Sequence, residues 1–408
     1  MLGEDLRFVI VGHVDHGKST LIGRLLYDTE SLPEDKYQSI KEAVEALGGE
    51  FKFAYLSDHL EEERNMEATI DTSQTFFKTE KRRYTIIDAP GHVEFIKNMI
   101  TGATQAEVAI LIIDVTCGVQ EQTRRHAYIL SMLGIDQVIV VLNKMDLVDY
   151  SQEAFDEVKE QATNFLKAIG IEPKFLIPIS AMNGDEVARP KDSLGWYSGP
   201  TVLTALDNLK KKPLATDKPL RLPIQDMYTF RNRRIAVGRV VSGVIRRGDK
   251  VCISPDGEKT SIESLEEFER NPSKASAGKS TGITVSSGFL RRGQVISHIN
   301  DIPLVTSSFK GHVFWMENSP YSQGEQITFK CATQETSCTL QIEKVFNSST
   351  LKMVKHNGKK IENRQVADVK IETVNPVVVE NFNDIPELGR FILERKDCCA
   401  GGIITKFR

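Results

Sequence analysis

The sequence predicts an α/β domain with a doubly wound, mostly parallel sheet, followed by two β-barrel domains. In the first half, short Val/Ile/Leu runs alternate with helical patterns, as in proteins with a parallel sheet. A Lys/Pro-rich stretch at 210–223 is typical of a linker. Beyond it, short strands of period two are separated by glycine turns, which indicates β-barrels. The predicted domains are 1–212, 213–302 and 303–408.

Bulk composition narrows the function classes. The 408 residues are 40% hydrophobic and 26% charged, which fits several globular domains. A net charge of −4 argues against non-specific nucleic-acid binding but leaves room for a local basic face. No apolar run predicts a membrane span, and the N-terminus lacks a secretory pattern. Six cysteines without zinc spacing predict reduced thiols in a cytoplasmic protein, with a redox pair at 398–399 as the alternative.

The first predicted strand, near 6–11, leads into a phosphate-binding loop. Residues 12–19 read GHVDHGKS, and a helix is predicted at 18–28. The GxxxxGK[ST] pattern captures phosphates with backbone N–H groups and a helix N-terminus. Lys18 is expected to contact the β- and γ-phosphates and Ser19 to bind Mg²⁺. The residues predicted to bind the nucleotide from this loop are Gly12, His13, Val14, Asp15, His16, Gly17, Lys18, Ser19 and Thr20.

Two further strands end in residues suited to the γ-phosphate and the base. The strand near 84–88 ends in DAPG, where Asp88 can hold a Mg²⁺-bound water and the Gly91 amide can reach the γ-phosphate. The strand near 136–142 ends in NKMD. Asp146 can accept hydrogen bonds from N1–H and the 2-amino group of guanine, a donor pair that adenine lacks. Asn143 can reach the purine ring and tie its loop to the phosphate loop.

A fourth strand, near 174–179, completes the pattern, because the amide of Ala181 can face guanine O6 and repel the amino group of adenine. Ligands of parallel α/β sheets bind at the carboxyl ends of strands, where all four segments lie. The sequence therefore predicts a P-loop GTPase domain that binds GTP or GDP with Mg²⁺. The residues predicted to bind the nucleotide from the later segments are Asp88, Gly91, Asn143, Lys144, Asp146, Ser180, Ala181 and Met182.

GHVDHGKST, DAPGH and NKMD, followed by two predicted barrels, resemble the translation-factor class of GTPases along the whole chain. One similar family is elongation factor Tu with its eukaryotic and archaeal counterpart, through FIKNMITGATQAEVAILIID. The other is the GTPase subunit of sulfate adenylyltransferase, through RLLYDTESL, GVQEQTRRHAYILSMLGI, NKMDLVDYSQEAF and WYSGPTVLTALDNL. These stretches favour the sulfate-activating family.

That resemblance implies a specific role in sulfate activation. A separate small adenylyltransferase subunit would make adenosine 5′-phosphosulfate from ATP and sulfate, driven by GTP hydrolysis on this chain. The expected partner is that subunit, in a heterodimer or a larger hetero-oligomer. The alternative is an elongation-factor-like translational GTPase that binds aminoacyl-tRNA. A third hypothesis is a catalytically silent scaffold that binds GTP.

The resemblance also implies the catalytic roles. His92 would orient the attacking water, and Thr69 would join Mg²⁺ and water in the GTP state. His13 and His16 are interpreted as shaping the phosphate loop. The chain departs from the family at Glu67 and Ala68, where glycine and isoleucine are usual, and this departure motivates the silent scaffold. The predicted catalytic residues are His92, Lys18 and Thr69, and the predicted metal ligands are Ser19, Thr69 and Asp88.

Overall fold

The computed structural model describes residues 3–46, 52–56, 74–87, 106–230, 233–267, 272–354 and 359–406. The chain divides into two units, Met1–Lys211 and Lys212–Arg408. In the described ranges, no helix is long and apolar enough to cross a membrane. Several residues of the predicted site and of the predicted departure lie outside the described residues, namely Glu67, Ala68, Thr69, Asp88, Gly91 and His92.

The first unit is built on a six-stranded sheet with the order β2-β3-β1-β4-β5-β6. Its strands are β1 (Gly3–Gly12), β2 (Gln74–Lys78), β3 (Arg82–Ile87), β4 (Val108–Asp114), β5 (Gln137–Asn143) and β6 (Phe175–Pro178). Five strands run parallel, and β2 pairs antiparallel with β3 at one edge. Every residue of β4 is buried, as expected for a central strand covered on both faces. The predicted mostly parallel sheet is confirmed, whereas β2 was not predicted.

Three of the predicted helices are present among the described residues of this unit. The described helices are α1 (Lys18–Asp28), α2 (Glu34–Ala46), α3 (Glu121–Met132), α4 (Gln152–Ala168) and α5 (Val202–Asn208). The predicted helices at 18–28, 122–133 and 151–169 coincide with α1, α3 and α4 to within one residue at each end. A further predicted helix at 92–101 lies outside the described residues.

The second unit contains two closed six-stranded barrels. Its early strands are β7 (Leu222–Phe230), β8 (Arg233–Arg239), β9 (Val244–Arg246), β10 (Lys250–Ser254), β11 (Glu258–Glu266), β12 (Lys274–Ser276), β13 (Ser280–Val285) and β14 (Val295–His298). The first barrel closes in the order β10-β11-β13-β8-β7-β14, with β9 and β12 paired beside it.

The second barrel is formed by longer strands. Its part of the chain contains β15 (Leu304–Trp315), β16 (Tyr321–Ser322), β17 (Ile327–Cys331), β18 (Gln334–Asn347), β19 (Lys360–Ile361), β20 (Gln365–Val379), α6 (Pro386–Gly389), β21 (Arg390–Glu394) and β22 (Cys398–Lys406). The barrel order is β15-β20-β18-β17-β21-β22. The two predicted barrels are therefore confirmed. The predicted domain limits remain predictions.

A buried ion pair joins the two barrels. Arg221 is 3% exposed, and its Nε donates to Oε1 of Glu380 at 2.6 Å. Its Nη1 also donates to the carbonyl oxygen of Asp301 at 2.8 Å. Val295 of the first barrel packs against Val378 and other apolar residues of the second. Polar and apolar contacts together hold the barrels as one unit.

The cysteines do not support the redox alternative. None of the six forms a disulfide bond, and all except Cys117 are buried. Burial raises the pKa of the Cys399 thiol to about 12. Cys398 and Cys399 are neighbours in β22, where consecutive side chains point to opposite faces. The pair therefore offers no exposed thiolate.

Candidate nucleotide site

The predicted binding segments of the first unit meet in one cleft of about 690 Å³. The cleft lies at the carboxyl ends of the central strands, where α/β sheets bind ligands. His16 and Ser180 do not line it, since both are buried behind its wall. The predicted residues that do line it are Gly12, His13, Val14, Asp15, Gly17, Lys18, Ser19, Thr20, Asn143, Lys144, Asp146, Ala181 and Met182.

The phosphate loop requires glycine at two positions. Gly17 is the N-cap of α1 and has a φ of 93°, which favours glycine. A Cβ on Gly17 would lie 2.2 Å from Nδ2 of Asn143. A Cβ on Gly12 would lie 2.5 Å from the Cγ2 and the carbonyl oxygen of Ile112 in β4. The loop is thus packed tightly against the sheet at the N-terminus of α1, in a form suited to anion binding.

Asn143 connects three parts of the site. Its side chain is 3% exposed, and Nδ2 donates to the carbonyl oxygen of His16 at 2.8 Å. Its Oδ1 accepts from the amide of Ala181 at 2.9 Å. This hydrogen bond from the Ala181 amide helps to fix the loop after β6. The contact expected between that amide and guanine O6 stays a prediction.

Asp146 lies in a short 3-10 turn, Met145–Val148, and is half-buried. Its carboxylate accepts no hydrogen bond from any residue that the structure describes, so both oxygens are available to a ligand. The turn begins after Lys144, which has a left-handed backbone with a φ of 68°. The Nζ of Lys144 lies 2.7 Å from Oδ2 of Asp114.

Asp114, at the end of β4, is a residue that sequence reasoning missed. Its Oδ1 accepts from the amide of Thr116 at 2.9 Å and from the Thr116 hydroxyl at 2.7 Å. Its own amide donates to Nδ1 of His16 at 3.2 Å. Burial would raise the pKa of Asp114, but the hydrogen bonds from Lys144 and Thr116 outweigh burial and hold the pKa below its usual value.

A second set of missed residues supports the loop after β6. The hydroxyl of Tyr150 donates to Oδ2 of Asp185 at 2.5 Å, and Nζ of Lys191 lies 3.1 Å from Oδ1 of the same carboxylate. The Trp196 indole donates to the carbonyl oxygen of Tyr150 at 2.9 Å. The amide of Ser180 donates to the carbonyl oxygen of Asp185. No sequence pattern assigns these residues a role at the site, since their contacts depend on the folded loop.

The environment of His16 gives a pH prediction. Burial lowers the pKa of His16, and Nδ1 must stay unprotonated to accept from Asp114. A depressed pKa means that the stabilisation is complete above the unfolded value of about 6.5 and is lost as the pH falls toward the folded value. The free energy of unfolding, measured by urea denaturation of the nucleotide-free protein, should therefore decrease from pH 7 to pH 5. His16→Asn, which keeps an acceptor, should decrease less steeply, and parallel curves would contradict this role.

Comparisons with known proteins now identify the family. Residues 4–212 match the model of the elongation factor Tu GTP-binding domain, 233–297 match elongation factor Tu domain 2, and 308–405 match the GTP-eEF1A C-terminal domain-like family. The chain is 40% identical over 399 residues to elongation factor 1-alpha of Archaeoglobus fulgidus, a match covering 96% of this chain and 94% of that protein. This chain belongs to the elongation factor Tu family of GTPases. Elongation factor 1-alpha of Methanopyrus kandleri is also 40% identical, over 99% of this chain and 98% of its own length.

Membership of the elongation factor Tu family corrects two predictions. The assignment to sulfate adenylyltransferase is wrong, because relatives that match nearly the whole chain are named elongation factor 1-alpha. The small adenylyltransferase partner is wrong for the same reason. The QTRRH motif, at 122–126, lies in α3 beside the nucleotide cleft, and its contacts do not identify a partner. Gln122 and His126 line the cleft, Arg124 stacks on Phe165 at 4.9 Å, and Arg125 pairs with Glu121 one turn away.

GTP or GDP and Mg²⁺ are the ligands expected for an elongation factor Tu family GTPase. The described residues fit them. Lys18 lines the cleft beside the phosphate loop, and Ser19 offers a hydroxyl, a hard oxygen donor suited to Mg²⁺. The half-buried carboxylate of Asp146 suits the donor edge of guanine.

Proposed function

We propose that this protein is a translational GTPase that binds aminoacyl-tRNA in its GTP state. The observation that carries the proposal is the match to elongation factor 1-alpha, which extends over nearly the whole chain and therefore over both barrels as well as the GTPase domain. The same relatives support the expectation of a cytoplasmic protein.

In this proposal, different loops of the cleft bind the phosphates and the base of the nucleotide. The phosphate loop and Lys18 hold the phosphates, and Asp146 binds guanine N1–H and the 2-amino group. Ser19, with Thr69 and Asp88, would hold Mg²⁺, which offsets the charge on the phosphates when it is bound. His92 would orient the attacking water. The roles of Thr69, Asp88 and His92 rest on the sequence motifs.

A surface of the first barrel supports an RNA partner. We call it the aromatic edge, and it is formed by Tyr228, Phe230, Arg233, Arg234 and Phe289. The three aromatic side chains are 57%, 61% and 74% exposed. The Arg234 guanidinium lies 5.2 Å from the ring centroid of Phe289, and Arg233 pairs with Phe230 across the hairpin. Exposed rings can stack on bases and arginines attract phosphates, so this edge offers both kinds of contact to an RNA, although Arg233 also pairs with Glu266 at 3.2 Å.

Replacing the aromatic edge tests the RNA partner. Stacking on one base contributes about 1–3 kcal/mol. Tyr228→Ala combined with Phe289→Ala should therefore weaken binding of aminoacyl-tRNA to the GTP form by about tenfold or more, while GTP affinity stays unchanged. Fluorescence anisotropy with labelled aminoacyl-tRNA measures this affinity. Met353→Ala is the matched control, because Met353 is a similarly exposed apolar residue (62%) on the second barrel.

Two outcomes would count against the proposal. If wild-type protein with a non-hydrolysable GTP analogue binds no aminoacyl-tRNA at micromolar concentration, the translational function is wrong. If the aromatic variants bind aminoacyl-tRNA as tightly as Met353→Ala does, the aromatic edge is not the RNA surface.

A further inference from the structure

We propose that Asp114 is a positioning residue for guanine recognition, which acts by anchoring the side chain of Lys144 and thereby the turn that carries Asp146. The inference rests on the guanine contact proposed for Asp146, and it is independent of the RNA partner.

The strand register brings the anchor and its target together. Asp114 and Asn143 are the last residues of β4 and β5, and they lie opposite each other in the parallel ladder. Lys144 follows Asn143 directly, so its side chain must return from the end of β5 to the end of β4 to reach Oδ2 of Asp114 at 2.7 Å. Its stem therefore crosses the cleft wall, which Lys144 lines.

The carboxylate of Asp114 is itself held rigidly. Asp114 is 4% exposed, and Thr116 donates both its amide and its hydroxyl to Oδ1. Only Oδ2 is left for Lys144 among the residues that the structure describes. Because one oxygen of this buried carboxylate is fixed, the other has a defined position for a charge-assisted hydrogen bond. That bond offsets the rotamer entropy that the long Lys144 side chain loses when it is ordered.

The turn beyond Lys144 needs such an anchor. Lys144 has a φ of 68°, a conformation that costs a non-glycine residue free energy and persists only where surrounding contacts enforce it. The amide of Met145 donates to the carbonyl oxygen of Ile179 at 3.1 Å, which fixes the backbone on one side. Asp146 follows one residue later and makes no hydrogen bond of its own to the described residues. Its position therefore depends on the turn.

Charge gives a second reason for the anchor. The Lys144 side chain is 30% exposed, and Asp114 is its counter-ion. Without that carboxylate, the ammonium group would be attracted to Asp146, the acidic residue two positions away that lines the same cleft. It would then compete with the base for the Asp146 oxygens. Asp114 thus keeps Asp146 available as well as positioned.

Asp114→Asn tests the role, because it removes the charge of the side chain but keeps its shape. It also leaves in place the backbone amide that donates to His16. Inosine triphosphate (ITP) lacks the 2-amino group, so the ratio of GTP to ITP affinity reports the Asp146 contact. That ratio should fall by about tenfold, the order expected for weakening one hydrogen bond to a charged group. The ratio of GTP to GDP affinity should stay unchanged, because the phosphate loop, and not Asp146, binds the phosphates.

A double-mutant cycle distinguishes positioning through Lys144 from a general loss of stability. Lys144→Met should also lower the ratio of GTP to ITP affinity, and the combination with Asp114→Asn should add little to either single change, because both break one contact. Asp207→Asn is the matched control in the same unit. Its carboxylate accepts from the Tyr84 hydroxyl at 2.6 Å and does not line the cleft, so this change should leave the ratio as in the wild type.

The Asp146→Ala variant distinguishes failure of the positioning role from failure of the proposed base contact. If Asp146→Ala lowers the ratio of GTP to ITP affinity while Asp114→Asn leaves it at the wild-type value, the positioning role is wrong. An unchanged ratio in Asp146→Ala removes the base contact itself, and with it the inference. Equal losses in Asp114→Asn and Asp207→Asn would also overturn the role, because they would reflect stability alone.

Discussion

Gly17→Ala is expected to lower the affinity for GTP by more than about 100-fold. The alanine must adopt a φ of 93°, and a left-handed conformation costs a non-glycine residue about 1–2 kcal/mol. Its methyl carbon would also lie 2.2 Å from Nδ2 of Asn143. Asn143 cannot move away cheaply, because the His16 carbonyl oxygen and the Ala181 amide hold both ends of its amide group. The phosphate loop must therefore shift, and equilibrium titration with a fluorescent GTP analogue measures the loss.

Gly170→Ala is the matched control for backbone strain. Gly170 has a φ of 78°, but a Cβ there would meet no atom within 4 Å, and the residue does not line the cleft. It should lower stability modestly and leave GTP affinity near the wild-type value. If Gly17→Ala binds GTP within a few-fold of Gly170→Ala, the contact between the loop and Asn143 does not shape the site.

The fold was largely predictable because its elements have clear periodicity. Continuous apolar runs such as Val108–Asp114 are typical of buried parallel strands, and all the predicted strands of the sheet that lie in the described residues are present. The missed strand, Gln74–Lys78, has only five residues and lies at the sheet edge, where Phe76 is 60% exposed. A short edge strand gives no strong burial pattern, so pairing with its neighbour decides its structure.

The binding residues could be predicted where they belong to one contiguous sequence motif. The phosphate loop and NKMD are contiguous in the chain, and the structure brings both to one cleft. Asp114 could not be predicted in the same way, because its contact with Lys144 depends on the register between β4 and β5. The hydrogen bond from the Ala181 amide to Asn143 was missed for a related reason, since the two residues are 38 positions apart in the sequence.

The partner was the least predictable feature. Stretches such as QTRRH lie in the wall of the nucleotide cleft. The residues needed there to bind the nucleotide are the same whatever partner the domain binds, so they do not identify that partner. The aromatic edge of the first barrel was not recognised in the sequence, because Tyr228 and Phe289 are more than fifty residues apart.

Asp146→Asn is expected to exchange guanine for xanthine specificity. The Asp146 carboxylate can accept from N1–H and the 2-amino group of guanine, whereas an asparagine amide donates to the 2-oxo group of xanthine. Hydrogen bonds to a charged group contribute about 1.5–3 kcal/mol each. Loss of two such bonds should weaken GTP binding by about 10²–10⁴-fold, and stopped-flow dissociation of fluorescent nucleotides follows the change.

The most direct test of the guanine site is one competition titration of GTP, xanthosine triphosphate and ATP against the wild type and Asp146→Asn. The wild type should prefer GTP over both competitors, and the variant should prefer xanthosine triphosphate over GTP. Unchanged GTP affinity in the variant would remove Asp146 from the base site. Tight ATP binding by the wild type would contradict the guanine site as a whole.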